Sequence, residues 1–87
     1  MEQDVSGQIR QLLSRHGQLP VAVADIPETA DLYSVGLKSF SVVQVMLALE
    51  GAFDIEFPER MLVRRTFSSI SGIEESVKEL LGERVGA

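Results

Sequence analysis

The chain has 87 residues, a formal net charge of −5, 45% hydrophobic and 6% aromatic residues, and no cysteine. That length allows one domain, residues 1–87, around a single aliphatic core. The acidic balance disfavours nucleic acid and anionic lipid as partners, and the lack of cysteine excludes disulfides, thiolate metal sites and cysteine nucleophiles.

Met1-Glu2-Gln3-Asp4 has neither the basic start nor the apolar run of a secretory signal, and no stretch reaches transmembrane length. A cytoplasmic monomer with no membrane or nucleic-acid partner is expected. Val5, Ile9, Leu12 and Leu13 then fall on one helical stripe, which Asp4 can cap and Gly17 can end. The first helix therefore spans Asp4 to His16. From Gly17 to Lys38 the pattern gives way to Gly, Pro and Asp punctuation, with Pro20 and Pro27 opposing a continuous helix. A loop of that length needs pins to the core, and Leu32, Tyr33, Val35 and Leu37 are the candidates.

Ser39 to Ala52 reads as the second helix, with Val42, Val45, Met46, Leu49 and Phe53 as its core stripe. Phe53 to Pro58 reads as an extended connector, and Glu59 to Arg65 as a short third helix opened near Pro58. Ile70, Ile73, Val77, Leu80 and Leu81 mark a fourth, with Ser71-x-x-Glu74 as a capping box, Gly82 as its stop and a fraying tail from Glu83 to Ala87. The expected fold is all-α: a four-helix bundle of three longer helices and one short one, with a long loop between the first two.

Ser39 is the residue that invites chemistry. A serine before an apolar helix is ordinarily an N-cap, but the same helix mouth offers free N–H groups and partial positive charge to a phosphate on the serine oxygen. Beyond its core stripe the helix carries more apolar residues. Ser39, Val43 and Leu47 share one i, i+4 row, and Phe40 heads another with Gln44. Such an outward strip suits docking by other proteins. Arg60, Arg64 and Arg65 form the one basic cluster, a solvated face rather than a nucleic-acid reader. Lys38, Phe40, Val43, Gln44, Leu47, Arg64 and Arg65 make up the expected partner interface. No catalytic set competes: His16 is the sole histidine, and Asp54 with Glu56 lacks the further ligands of a metal site.

Asp31-Leu32-x-x-x-Gly36-Leu37-x-Ser39, followed by Leu49-Glu50-x-x-Phe53-Asp54-Ile55-x-Phe57-Pro58, resembles the acyl carrier protein family. The resemblance implies the four-helix carrier-protein bundle. It also implies that Ser39 receives 4'-phosphopantetheine from coenzyme A through a phosphopantetheinyl transferase, and that the arm's thiol carries cargo as a thioester. The protein would then be a carrier rather than an enzyme. Carriers of fatty acid synthesis usually place Asp directly before the serine and several acids along the helix. This chain has Lys38, Ser41, Gln44 and Gly51 in that region, with only Glu50 acidic.

Together with Gly17-Gln18-Leu19-Pro20 and Phe67-x-Ser69-Ile70, the pattern is most similar to the small stand-alone aminoacyl carrier proteins. Those are loaded with glycine or alanine by a ligase that resembles a seryl-tRNA synthetase core, and they pass the cargo to a downstream acceptor. Two other readings use the same residues. One is an acyl carrier for fatty acid, polyketide or other specialised thioesters; the other is an unmodified helical interaction module in which Ser39 is only a cap.

Overall fold

The computed structural model describes residues 4–86, with side chains described through residue 82; Met1 to Gln3, read above as lacking a secretory signal, lie outside them. Four α-helices make up the regular structure of the described residues: α1 (Val5–His16), α2 (Leu32–Val35), α3 (Ser39–Phe53) and α4 (Ile70–Gly86). Asp4 caps α1 as expected, its carboxylate accepting the Gly7 N–H at 3.0 Å, and Gly17 closes it with an N–H to Leu13 O at 2.8 Å. The left-handed step that leaves the helix is taken by Gln18, at φ 54°.

The long loop is held to the bundle by backbone. Arg10 Nη1 donates to Val23 O at 2.8 Å and to Ile26 O at 2.9 Å, fixing a 3-10 turn at Val23–Asp25 against α1. Leu32 N donates to Ser68 O at 2.7 Å and Ser71 N to Glu28 O at 2.9 Å, so both ends of the loop's second half are tied to the start of α4. Of the expected pins, Leu32 and Leu37 are buried and Tyr33 and Val35 half-buried. The short helix of the bundle is α2, inside this loop. Asp31 starts it by accepting the Tyr33 N–H, and Gly36 ends it.

The expected short helix at Glu59 to Arg65 is a correction. Two 3-10 turns stand there instead, Glu59–Met61 and Arg64–Phe67, separated by Leu62 and Val63. Each buries a side chain, Met61 in the first and Phe67 in the second, and a continuous α-helix would not aim both inward from so short a segment. The Phe67 ring meets the Phe57 ring edge-on at 5.4 Å.

The core is shared by the three long helices: Ile9 and Leu13 from α1, Val45, Leu49 and Phe53 from α3, and Ile70, Ile73, Val77 and Leu80 from α4. Burying each such side chain stabilises the fold by roughly 1.5–3 kcal/mol before entropy is counted. Val42 and Met46, read as core, are only half-buried, and the polar Ser41, outside that core stripe, is 1% exposed. The buried stripe of α3 thus runs Ser41, Val45, Leu49, Phe53, a strict i, i+4 row. At the start of α4 the capping box is also a correction. The helix begins at Ile70, and Ser69 Oγ accepts the Gly72 N–H at 3.0 Å, so the cap lies two residues before Ser71. Gly82 has no positive φ, and α4 continues through it to Gly86 where fraying was expected; Ala87 lies outside the described residues.

Candidate functional site

Gly36 aims the chain into α3. Its φ of 135° is open to glycine and strained for other residues, and a Cβ there would stand 2.7 Å from Pro20 Cδ. Leu37 then buries, with its N–H on Leu32 O at 2.9 Å, and Lys38 turns outward in extended backbone as the N-cap. Ser39 is the first helical residue and is exposed. It therefore sits one position inside the cap that the sequence suggested. Lys38 supplies no side-chain cap, and no acid occupies the first turn of α3. The positive end of the helix dipole has no carboxylate in its own first turn, directly behind an exposed hydroxyl.

The outward rows of α3 are uncovered. Phe40 is 58% exposed, Val43 51% and Leu47 57%, so neither the long loop nor the 3-10 segment closes over them. Lys38, Gln44, Arg64 and Arg65 are exposed as well. Beside Ser39 lies a groove of about 410 Å³, walled by Val42, Val43 and Met46 of α3 on one side and Leu62, Val63, Arg64 and Phe67 on the other, with Tyr33 at the end. Leu62, Val63 and Tyr33 were not among the site residues expected from sequence. The apolar pair between Met61 and Arg64 was their signal, hidden by the helical reading of that segment.

Tyr33 ties α2 to this wall. Its hydroxyl donates to Arg64 O at 3.3 Å, and the Arg64 guanidinium lies over its ring at 3.9 Å from the centroid. Burial raises the Tyr33 phenol above its ordinary pKa; the Arg64 charge opposes that rise and Asp31 adds to it. The phenol stays a neutral donor through the physiological range. Glu50, the one acid of α3, faces elsewhere: Oε2 accepts the Phe57 N–H at 2.9 Å and so folds the connector back on the helix.

Among the described residues no group of three or more His, Cys, Asp or Glu side chains could hold a metal, and no helix is long and apolar enough to cross a membrane. The donor set at Ser39 fits a phosphodiester: an accessible hydroxyl, a helix N-terminus with no acid in its first turn, Lys38 beside it and Arg64 on the shared groove.

Residues 8–77 match the family described as the phosphopantetheine attachment site. The chain is also 51% identical over 79 residues to the aminoacyl carrier protein of Agrobacterium fabrum, spanning 91% of this chain and 95% of that relative. The chain belongs to the aminoacyl carrier proteins. As an aminoacyl carrier protein it tethers an amino acid, and phosphopantetheine is its cofactor. Two solved carrier structures share the fold. One is a carrier protein from Agrobacterium tumefaciens, complexed with an engineered Bradyrhizobium japonicum glycine:carrier protein ligase and AMP. It is 52% identical, with a TM-score of 0.82 over 84% of this chain and 97% of that one. The other is a glycylated carrier protein complexed with the B. japonicum ligase, 29% identical, with a TM-score of 0.72 over 83% of this chain and 96% of that one.

Proposed function

We propose that Ser39 is the attachment residue, that the cargo is glycine or alanine, and that an ATP-dependent amino acid:carrier protein ligase loads it. The observation that carries this reading is the exposed hydroxyl at the first residue of α3, at the head of an uncovered apolar strip and with no carboxylate in the first turn. Ser39 Oγ is the nucleophile that attacks the pantetheine-bearing phosphorus of coenzyme A on a phosphopantetheinyl transferase: the Oγ–P bond forms, the pyrophosphate bond breaks, and adenosine 3',5'-bisphosphate and the hydroxyl proton leave. Lys38 and the helix N-terminus stabilise the phosphodiester's charge. The bound group supplies the thiol that this chain lacks and carries the amino acid as a thioester.

The chain itself is a carrier and not a catalyst, a monomer of one domain that works in the cytoplasm. Complexes of similar carriers with glycine:carrier protein ligases support a loading ligase as the partner and glycine as cargo. The partner interface comprises Lys38, Phe40, Val43, Gln44 and Leu47, with Arg64 across the groove and Arg65 in the pocket adjoining it. An acid-poor helix offers little attraction to the basic enzymes that handle acidic carriers. A downstream acceptor receives the cargo through the same face.

The test is loading of the holo protein. Incubation with a glycine:carrier protein ligase, ATP and an equimolar mixture of amino acids should give a thioester of glycine or alanine by intact mass. Malonyl transfer enzymes should leave the protein unchanged. Malonylation without aminoacylation would overturn the amino acid reading in favour of acyl cargo.

A further inference from the structure

The cations that follow α3 differ in what they face. Arg60 Nη1 meets Glu79 Oε2 at 3.0 Å, and Lys78 Nζ meets Glu74 Oε2 at 2.9 Å. Arg64 has no carboxylate partner among the described residues; its guanidinium lies on the Tyr33 ring instead. Asp31, the acid that shares the adjoining pocket with Arg64, is already engaged. Its Oδ1 accepts the Tyr33 N–H and its Oδ2 the Ser34 hydroxyl, both at 3.0 Å. The stack fixes the plane of the guanidinium and leaves its N–H edge without an acceptor among the described residues. That edge belongs to a side chain lining the same groove as Ser39.

We propose that Arg64, held on the Tyr33 ring, binds the phosphodiester of the arm attached to Ser39 and sets the direction in which that arm leaves the helix. The proposal rests on the reading of Ser39 as the attachment residue. A guanidinium suits this task better than an ammonium because its planar fork donates two parallel hydrogen bonds to one phosphate. Ordering the side chain beforehand lowers the entropy lost on contact, and the Tyr33 ring together with the Tyr33 hydroxyl on Arg64 O supplies that order. Arg64 is a positioning residue here. Lys38, exposed and without a stacking partner, contributes charge but no direction.

The placement has a consequence for docking. A phosphodiester drawn toward Arg64 points the arm into the groove between Val43 and Met46 on one wall and Leu62 and Val63 on the other. It is drawn away from Phe40 and Leu47, which stay clear for a protein partner. Because Arg64 is exposed, the contact is also open to salt, which screens charges beyond about 3 Å at 1 M.

The experiment uses the full-length holo protein, labelled with nitrogen-15, with mass spectrometry first locating the group on Ser39. The Arg64 Nε–Hε signal should shift on conversion from apo to holo, and return toward its apo position at about 1 M salt. The Arg65 signal should stay in place, since Arg65 lines the adjoining pocket but not the Ser39 groove. The phosphorus-31 resonance of the arm should move in Arg64→Ala, partly recover in Arg64→Lys, and match wild type in Arg65→Ala. A merely structural Arg64 would leave that resonance where it is. A sample modified on Ser39 whose phosphorus and Arg64 Nε signals are both indifferent overturns the proposal. A sample that takes no group on Ser39 overturns the attachment reading first and this proposal with it.

Discussion

The two faces of α3 are both apolar, yet they serve opposite ends. On the inner row Ser41, Val45, Leu49 and Phe53 are at most 5% exposed, and on the outer row Val43 and Leu47 are more than half exposed, below an exposed Ser39. Hydrophobicity alone does not separate these rows. What separates them is what the rest of the chain covers, since α1 packs against α3 and the inner row joins the common core, while the 3-10 segment stops at the edge of the groove. A carrier needs this division, because its attachment residue must stay accessible while the helix that bears it stays fixed.

Truncation on each row gives the sharpest contrast. Leu49→Ala should cost about 2–5 kcal/mol in urea unfolding, because Leu49 is fully buried and leaves a cavity. Glu50→Ala should cost about 1–2 kcal/mol by the same measurement, since it removes the acceptor of the Phe57 N–H at the far end of the helix. Leu47→Lys should change stability by no more than about 0.5 kcal/mol, yet weaken aminoacylation by a ligase, read as a higher KM for the carrier. Equal destabilisation by Leu47→Lys and Leu49→Ala would erase the distinction between the rows.

The long helices were legible because their apolar residues keep helical spacing, and Asp4 and Gly17 mark the ends of the first. The exposed position of Ser39 at the start of α3 was legible too, through the glycine turn before it. Three details were not. Leu32–Val35 is too short to show a period, and its helix exists because Asp31, Gly36 and the Leu32 N–H to Ser68 O hold it in place. Ser41 reads as surface by type, but the i, i+4 row through Val45 and Leu49 carries it inward. At residues 59–67 apolar and basic residues alternate in a way that fits a helix, and only the burial of both Met61 and Phe67 selects two tight turns. That choice sends Leu62 and Val63 outward to form the groove wall, which is why the wall was missed.

The cap was also misplaced by one residue, and the shift matters for Ser39. As the first helical residue rather than the N-cap, its hydroxyl is not committed to the helix, so stability and modification can be separated. Incubation of wild type and Ser39→Ala with coenzyme A and a broad-specificity phosphopantetheinyl transferase, followed by intact mass, measures this most directly. Wild type should gain one phosphopantetheine and Ser39→Ala none, with the variant's unfolding free energy within about 0.5 kcal/mol of wild type. An unmodified wild type, or the same gain on the variant, would contradict the account.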